Sequence, residues 1–204
     1  MFEWTYDDLN NFYPSIIHHN IPLNLDINPY QQKLKKMHPI LDPSLKKELD
    51  KILNARIVFP VRYTQWISNF SPVHKKSGEI RLFVDFRNFN RESEKDNYLV
   101  PSMEMILQTV SDVEMFSLLD GFSGYNQVLV TNSNQLKTSF RRPWGTFSYR
   151  RIPFGMINVV DTFQRAMDIA FQGLLQNFAV IYLNGITIFY EEMTRSYTSL
   201  ETCF

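Results

Sequence analysis

Two β-rich runs near the end of the sequence flank an Asn-Gly pair. The runs are AVIYL and ITIFY, and Asn184-Gly185 lies between them. Asn-Gly between β-branched and aromatic runs is the strongest short-range signal of a β-hairpin. We therefore expect two antiparallel strands, with Asn184-Gly185 at the centre of the turn or one residue past it. The fold class must contain antiparallel sheet.

Three segments have the periodicity of helices. The first begins at Asp42, which is the predicted N-cap, and Pro43 takes the first helical position. Its apolar stripe consists of Leu45, Leu49, Ile52 and Leu53. The second helix is predicted over 102–110, directly after Pro101, and the third and longest over 156–175.

The remaining patterns predict strands. A hairpin is expected over 70–90, and another over 137–152 with Pro143 and Gly145 in its turn. The run EMFSLLD is typical of a buried strand that presents a carboxylate, that of Asp120, at its tip. Helices and hairpins alternate along the chain, so the predicted fold class is α+β.

Composition limits the cellular setting and the partners. At 204 residues, with 44% apolar and 21% charged residues, the chain is long enough for one large or two small globular domains. The single cysteine, Cys203, excludes an internal disulfide and favours a reducing compartment. The sequence has no secretory signal and no apolar run near the length of a membrane span, so we expect an intracellular protein. A formal net charge of zero is weak evidence against nucleic-acid binding.

Five motifs occur in an order and spacing that resemble those of a known family. They are WTYDDLNNFYPSIIHHNIPL, SNFSPVHKKSGEIRLFVDFRNFN, FSLLDGFSGYNQ, PWGTFSYRRIPFG and VIYLNGITIFY. Together they resemble the reverse transcriptase of gypsy-type LTR retrotransposons, and the plant group in particular. The resemblance implies an extended lead-in over 1–40, a fingers-like region over 41–111 and a truncated palm-like region over 112–204, without the thumb. It also implies an RNA or DNA template-primer and deoxynucleotide triphosphates as partners.

The same resemblance implies polymerisation by two Mg²⁺ ions that three aspartates hold. Asp120 matches the first aspartate, and the carbonyl of Gly121 would be the next metal contact; without its flanking motif, Asp120 alone would be a strand-end turn residue. Asn184 and Gly185 stand at the two other aspartate positions. We therefore expect Mg²⁺ binding to be weak or lost and the chain to be an inactive retroelement remnant. Each replacement needs one base transition, as in a decaying copy, although sequencing errors would give the same result.

Two other functions stay open. One is residual polymerisation, with Mn²⁺ or with an aspartate-bearing partner. The other is a nucleic-acid-binding module without chemistry, which would show salt-dependent affinity for a primer–template hybrid.

The resemblance carries further contacts over to this chain. It places Lys75 and Arg81 at the incoming triphosphate, Tyr125 at the 2′ side of its sugar, and Phe154-Gly155 at the floor beneath the nucleotide. Four arginines that could meet template phosphates cluster on one hairpin and its exit: Arg141, Arg142, Arg150 and Arg151. For Lys75 and Arg81 the alternative is a solvated hairpin face, and for the arginines a solvated charge cluster.

Overall fold

The computed structural model describes residues 12–13, 15–24, 27–35, 41–74, 80–111, 113, 115–120, 123–175 and 178–190. The chain divides into two compact units, each made of two stretches of sequence. The first unit comprises Met1–Asp96 and Tyr125–Val159, and the second comprises Asn97–Gly124 and Val160–Phe204. No helix in the described part of the chain has the length and apolar character that crossing a membrane requires.

The described residues combine helices with antiparallel sheet, which confirms the α+β prediction. The helices are α1 (Asp42–Asn54), α2 (Arg87–Glu92), α3 (Met103–Val110) and α4 (Val159–Ala170). The strands are β1 (Val58–Val61), β2 (Asn69–His74), β3 (Ile80–Asp85), β4 (Met115–Asp120), β5 (Phe140–Arg142), β6 (Gly145–Tyr149), β7 (Ala179–Tyr182) and β8 (Gly185–Tyr190). Their order in the sheets is β1-β6-β5 and β2-β3 in the first unit, and β4-β8-β7 in the second.

Helix α1 confirms the first helical prediction with one correction. The N-cap is Leu41, and the side chain of Asp42 makes no capping hydrogen bond, so the predicted N-cap was wrong by one residue. Asp42 lies in the first helical turn, where its carboxylate instead accepts a hydrogen bond from Arg142 at 3.4 Å. Of the predicted apolar stripe, Leu45, Leu49 and Ile52 are buried and Leu53 is half-buried.

The hairpin predicted over 70–90 is shorter than expected. Strands β2 and β3 pair from Asn69↔Asp85 to His74↔Ile80, and α2 takes up the remainder of the segment. The strand ends at Asp85 because its carboxylate accepts hydrogen bonds from the backbone N–H of Arg87, at 3.2 Å, and from its guanidinium, at 2.7 and 2.8 Å. This pairing turns the chain into α2, and Phe89 on that helix is 2% exposed.

The hairpin predicted over 137–152 forms from β5 and β6. Arg142 pairs with Gly145, so the two turn residues are Pro143 and Trp144, and Gly145 begins β6 rather than lying in the turn. Phe140 is fully buried, with its ring centroid 5.8 Å from that of Phe147. These stacked rings hold the hairpin in the core of the first unit.

The two later helical predictions have different outcomes. Helix α3 begins as predicted, because the Ser102 hydroxyl accepts a hydrogen bond from Met105 N at 3.3 Å and caps the helix. The helix predicted over 156–175 forms only over Val159–Ala170. Asn158 before it and Gly173 after it have φ angles of +65° and +93°, which a right-handed helix does not accommodate.

Strand β4 forms as predicted, but it is not buried. Met115, Phe116 and Leu118 are 45%, 52% and 71% exposed. The other two strands of its sheet, β8 and β7, do carry buried residues, among them Ile188 and Ile181. The apolar run alone could not distinguish a strand buried on both faces from one at the edge of its sheet.

Candidate active site

The three strands of the second unit align the residues that the sequence singled out. Asp120, the last residue of β4, pairs directly with Gly185, which in turn pairs with Tyr182 on β7. Directly paired residues of an antiparallel sheet project to the same face. Tyr182, Gly185 and Asp120 therefore form one row across the sheet, and the member between the other two has no side chain.

The predicted hairpin is confirmed, and the register settles where its turn lies. Because Tyr182 pairs with Gly185, the two turn residues are Leu183 and Asn184. Asn184-Gly185 is therefore displaced by one residue from the turn centre. Leu183 has a φ angle of +56°, a region that leucine rarely occupies.

Asn184 directs its side chain toward Gly124 of the GFSGYNQ motif. A β-carbon built on Gly124 would lie 3.2 Å from Asn184 Oδ1 and 2.7 Å from Cζ of Phe163. Asn184 Oδ1 is buried and has no hydrogen-bond partner in the described part of the chain. The amide of Asn184 and the ring of Phe163 therefore occupy the space that a side chain at position 124 would need.

The residues present do not match the metal set that the family resemblance implies. Two Mg²⁺ ions need several hard, preferably anionic oxygen ligands. The row offers the carboxylate of Asp120 and no side chain at Gly185, and the adjoining turn adds only the neutral, packed amide oxygen of Asn184. Within the described ranges, no three His, Cys, Asp or Glu side chains group together as a metal site would require. The predicted metal contact Gly121 lies outside the described residues.

Three further predicted residues lie in the first unit. Tyr125 is 7% exposed and packs edge-to-face on Phe154, with ring centroids 5.0 Å apart. Burial raises the pKa of the Tyr125 phenol, which therefore stays protonated at neutral pH. Phe154 is 50% exposed and is followed by Gly155 at a φ angle of +93°. The turn needs a glycine there, because Phe83 would also lie 3.1 Å from an added β-carbon.

Two asparagines that the sequence did not single out brace this turn. Asn90 on α2 donates to Gly155 O at 2.8 Å and accepts from Ile157 N at 3.0 Å. Asn158 donates to Glu94 O at 2.7 Å and accepts from Asp96 N at 2.9 Å. Such contacts join residues more than 60 positions apart, so no local pattern could have revealed them.

The four clustered arginines have different environments. Arg142 is 5% exposed, its guanidinium 5.3 Å and 5.4 Å from the ring centroids of Phe70 and Trp144. Burial lowers the pKa of Arg142, and the adjacent Asp42 opposes that shift.

The other three arginines differ in exposure. Arg151 is 8% exposed and donates to Asn126 O at 2.9 Å. Arg150 is exposed over the ring of Phe59, and Arg141 is half-buried. Arg142 and Arg151 thus have partners inside the protein, which leaves Arg141 and Arg150 as the more accessible pair.

The structure describes only one of the two basic residues that are predicted at the triphosphate. Lys75 lies outside the described residues. Arg81 lies on β3, opposite Val73. Their assignment stays a prediction.

Comparison with known proteins identifies the family. The sequence profile of the family described as reverse transcriptase (RNA-dependent DNA polymerase) matches residues 73–204. The chain belongs to the reverse transcriptase family.

The sequence relatives place this reverse transcriptase domain among retrotransposon Pol polyproteins. It is 33% identical over 164 residues to the Pol polyprotein of the gypsy transposon of Drosophila melanogaster, and 27% identical over 189 residues to that of transposon 297. The Enzymatic polyprotein of Cauliflower mosaic virus is 26% identical over 160 residues. The match covers 78% and 91% of this chain for gypsy and 297, but the chain spans only 16% and 18% of those polyproteins. For the cauliflower mosaic virus protein the shares are 77% and 23%.

Solved structures support the same fold. A prototype foamy virus protease-reverse transcriptase superposes with a TM-score of 0.79 at 22% identity, over 97% of this chain and 27% of that one. A foamy viral protease-reverse transcriptase in complex with RNA/DNA hybrid superposes with a TM-score of 0.76 at 18% identity, covering 97% and 27%. The reverse transcriptase domain therefore has the fold of these solved structures.

Proposed function

We propose that this reverse transcriptase domain has lost polymerase chemistry while keeping the strand framework of the site. The direct pairing of Asp120 with Gly185 carries the proposal. A carboxylate at position 185 would have its β-carbon about 4.5–5.5 Å from that of Asp120, close enough for both to bind one metal cluster. Gly185 supplies no carboxylate.

The expected loss is large. If each missing carboxylate removes about 4 kcal/mol of transition-state stabilisation, the rate falls roughly a thousandfold for each. The two losses need not add, because ligands of one metal cluster act as a unit. Whether or not the two losses add, we expect no useful DNA synthesis.

The family's partners come to this chain as part of the same proposal. The relative bound to RNA/DNA hybrid supports a nucleic-acid duplex as the partner. We assign Lys75, Arg81, Tyr125, Phe154 and Gly155 to the incoming nucleotide, and the regions 41–111 and 112–204 to fingers and palm. The packing of Tyr125 on Phe154 supports a shared role for these two rings.

Primer extension on the purified chain tests the proposal. We expect no Mg²⁺-dependent incorporation by the unchanged chain, and incorporation by the double variant Asn184→Asp/Gly185→Asp. Asp120→Ala in the double variant should abolish that incorporation again. Incorporation by the unchanged chain that disappears in Asp120→Ala would overturn the proposal.

Metal affinity provides a second readout, which does not depend on the rest of the polyprotein. Mn²⁺ binding, followed by electron paramagnetic resonance, should be weak in the unchanged chain and at least about tenfold tighter in Asn184→Asp/Gly185→Asp. Equal affinities would mean that the row around Asp120 does not form the family's metal site.

A further inference from the structure

The first unit contains a cavity of about 610 Å³, and the residues assigned above to the nucleotide are not among those that line it. Its walls come from Gln31, from the segment 62–67, from the segment 133–137 and from β5 and β6. This volume falls within the range of about 300–1,000 Å³ that is usual for small-molecule sites.

The charge of the cavity lining has one sign. Arg62, Lys137 and Arg141 line it, and no aspartate or glutamate does. None of the three forms an ion pair with a carboxylate of the described residues. An unneutralised group of cations in a concave surface attracts anions.

Lys137 is half-buried in the cavity wall. Its ammonium donates to Ile21 O at 3.0 Å, and burial lowers its pKa. An ammonium has three donors, so further hydrogen bonds can go to an anion in the cavity. Such an anion would offset the desolvation of the charge.

Hydrogen bonds hold the walls of the cavity in place. Thr64 Oγ1 donates to Leu136 O at 2.8 Å and accepts from Ser139 Oγ at 3.0 Å. Gln31 Nε2 donates to Thr64 O at 3.2 Å. One threonine thus ties three wall segments together, and a pre-formed site loses little conformational entropy on binding.

An aromatic ring lies at the same cavity. Tyr63 is 80% exposed, directly after Arg62. Exposed rings beside cations are typical of proteins that stack nucleobases while holding phosphates. A site for small inorganic anions would not need this ring.

We propose that this cavity binds nucleotide phosphate, with Lys137 and Arg141 at the phosphoryl oxygens and Tyr63 against the base. The phosphate can belong to a free nucleotide or to a single-stranded oligonucleotide. The site shares no residue with the row around Asp120, so binding there does not require polymerisation.

Binding is measured on the full chain in EDTA, which excludes metal-dependent binding elsewhere. The probes are a short fluorescein-labelled oligothymidylate, followed by anisotropy, and thymidine triphosphate, followed by calorimetry. Lys137→Gln/Arg141→Gln should weaken binding at least about tenfold, because each charge-assisted hydrogen bond contributes about 1.5–3 kcal/mol. Binding of both probes indicates the free nucleotide as a ligand, and binding of the oligonucleotide alone indicates a strand.

The matched control removes the same two charges elsewhere in the first unit. Lys47 on α1 and Arg91 on α2 are exposed and do not line the cavity. Lys47→Gln/Arg91→Gln should change affinity by less than about twofold. An equal loss in both double variants, or no binding of either probe to the unchanged chain, overturns the proposal.

A second variant guards against a failure to fold. Circular dichroism checks the Lys137→Gln/Arg141→Gln chain, which also loses the bond to Ile21. If it does not fold, Tyr63→Ala replaces it, since this exposed ring has no core role. Loss of a base stacked on this ring should cost about 1–3 kcal/mol, which is at least about fivefold in affinity, and an unchanged affinity overturns the proposal.

Discussion

At the scale of single residues, His19 makes the stability of the first unit depend on pH. Its side chain is buried, with 1% of the residue exposed. The backbone N–H of His19 donates a hydrogen bond to Leu129 O at 2.9 Å. Burial lowers the pKa of His19 from 6.5 to about 4, while the charge of Asp96 acts in the other direction. The imidazole is therefore neutral in the folded protein at physiological pH.

We predict that the free energy of unfolding falls as the pH is lowered from 6.5 to about 4. In this window the unfolded chain takes up a proton at position 19 and the folded chain does not, so protons favour unfolding. The loss approaches about 3 kcal/mol at the lower end of the window. Urea denaturation at a series of pH values measures it.

Two variants isolate the contribution of His19 to this pH dependence. His19→Gln should flatten the profile between these pH values, whereas His18→Gln, at the exposed neighbouring position, should keep it. A profile that stays as steep in His19→Gln as in the unchanged chain would assign the effect to other groups.

At the scale of elements, the turn between β7 and β8 has a strained backbone. It also contains Asn184, which stands at one of the family's aspartate positions. Leu183 has a φ angle of +56° and Asn184 does not share this left-handed region. A two-residue hairpin turn with a positive φ at its first position favours glycine there. The chain instead has its glycine at position 185, on the strand.

Leu183→Gly should therefore stabilise the chain by about 0.5–1 kcal/mol. Relief of the left-handed leucine contributes about 1–2 kcal/mol, and the added freedom of glycine in the unfolded chain offsets part of it. Leu119→Gly, at a half-buried strand position without positive φ, is the matched control and should destabilise. Equal losses of denaturation midpoint in both variants would contradict strain at position 183.

Elements that local chemistry determines could be predicted from the sequence, and features that depend on long-range contacts could not. Hairpins with marked turn residues, such as the one around Asn184-Gly185, were predictable because local chemistry determines them. The one-residue displacement of that turn could not be predicted, because the pairing of β8 with β4 fixes the register of β8. The sequence could not distinguish the buried Arg142 from the exposed Arg150. The difference arises because Arg142 packs against Phe70 and Trp144, which only the folded chain brings together. The cavity around Lys137 joins four distant segments, so no local pattern indicated it.

At the scale of the whole molecule, each unit carries a different part of the proposed functions. The first contains the Lys137 cavity and the packed pair Tyr125 and Phe154, and the second contains Asp120 and its row. The chain spans 16% and 18% of the gypsy and 297 polyproteins. Experiments on it alone therefore test what these two units do by themselves.

The exposed side of β4 should limit such experiments on the isolated chain. Phe116 and Leu118 alternate with Ser117, so they share the face of Asp120. Contiguous apolar side chains on an exposed edge strand promote association between copies. We therefore predict that the purified chain self-associates through this strand.

Phe116→Thr/Leu118→Thr should raise the dissociation constant of self-association at least about tenfold. Burying a large apolar side chain contributes about 1.5–3 kcal/mol, and threonine forfeits much of it while keeping strand propensity. The control Val73→Thr/Leu99→Thr removes one exposed apolar side chain from each unit, neither of them on β4, and should leave association unchanged. Sedimentation velocity over a concentration series measures both. If the control dissociates the chain equally well, general surface hydrophobicity causes the association, and β4 is not its site.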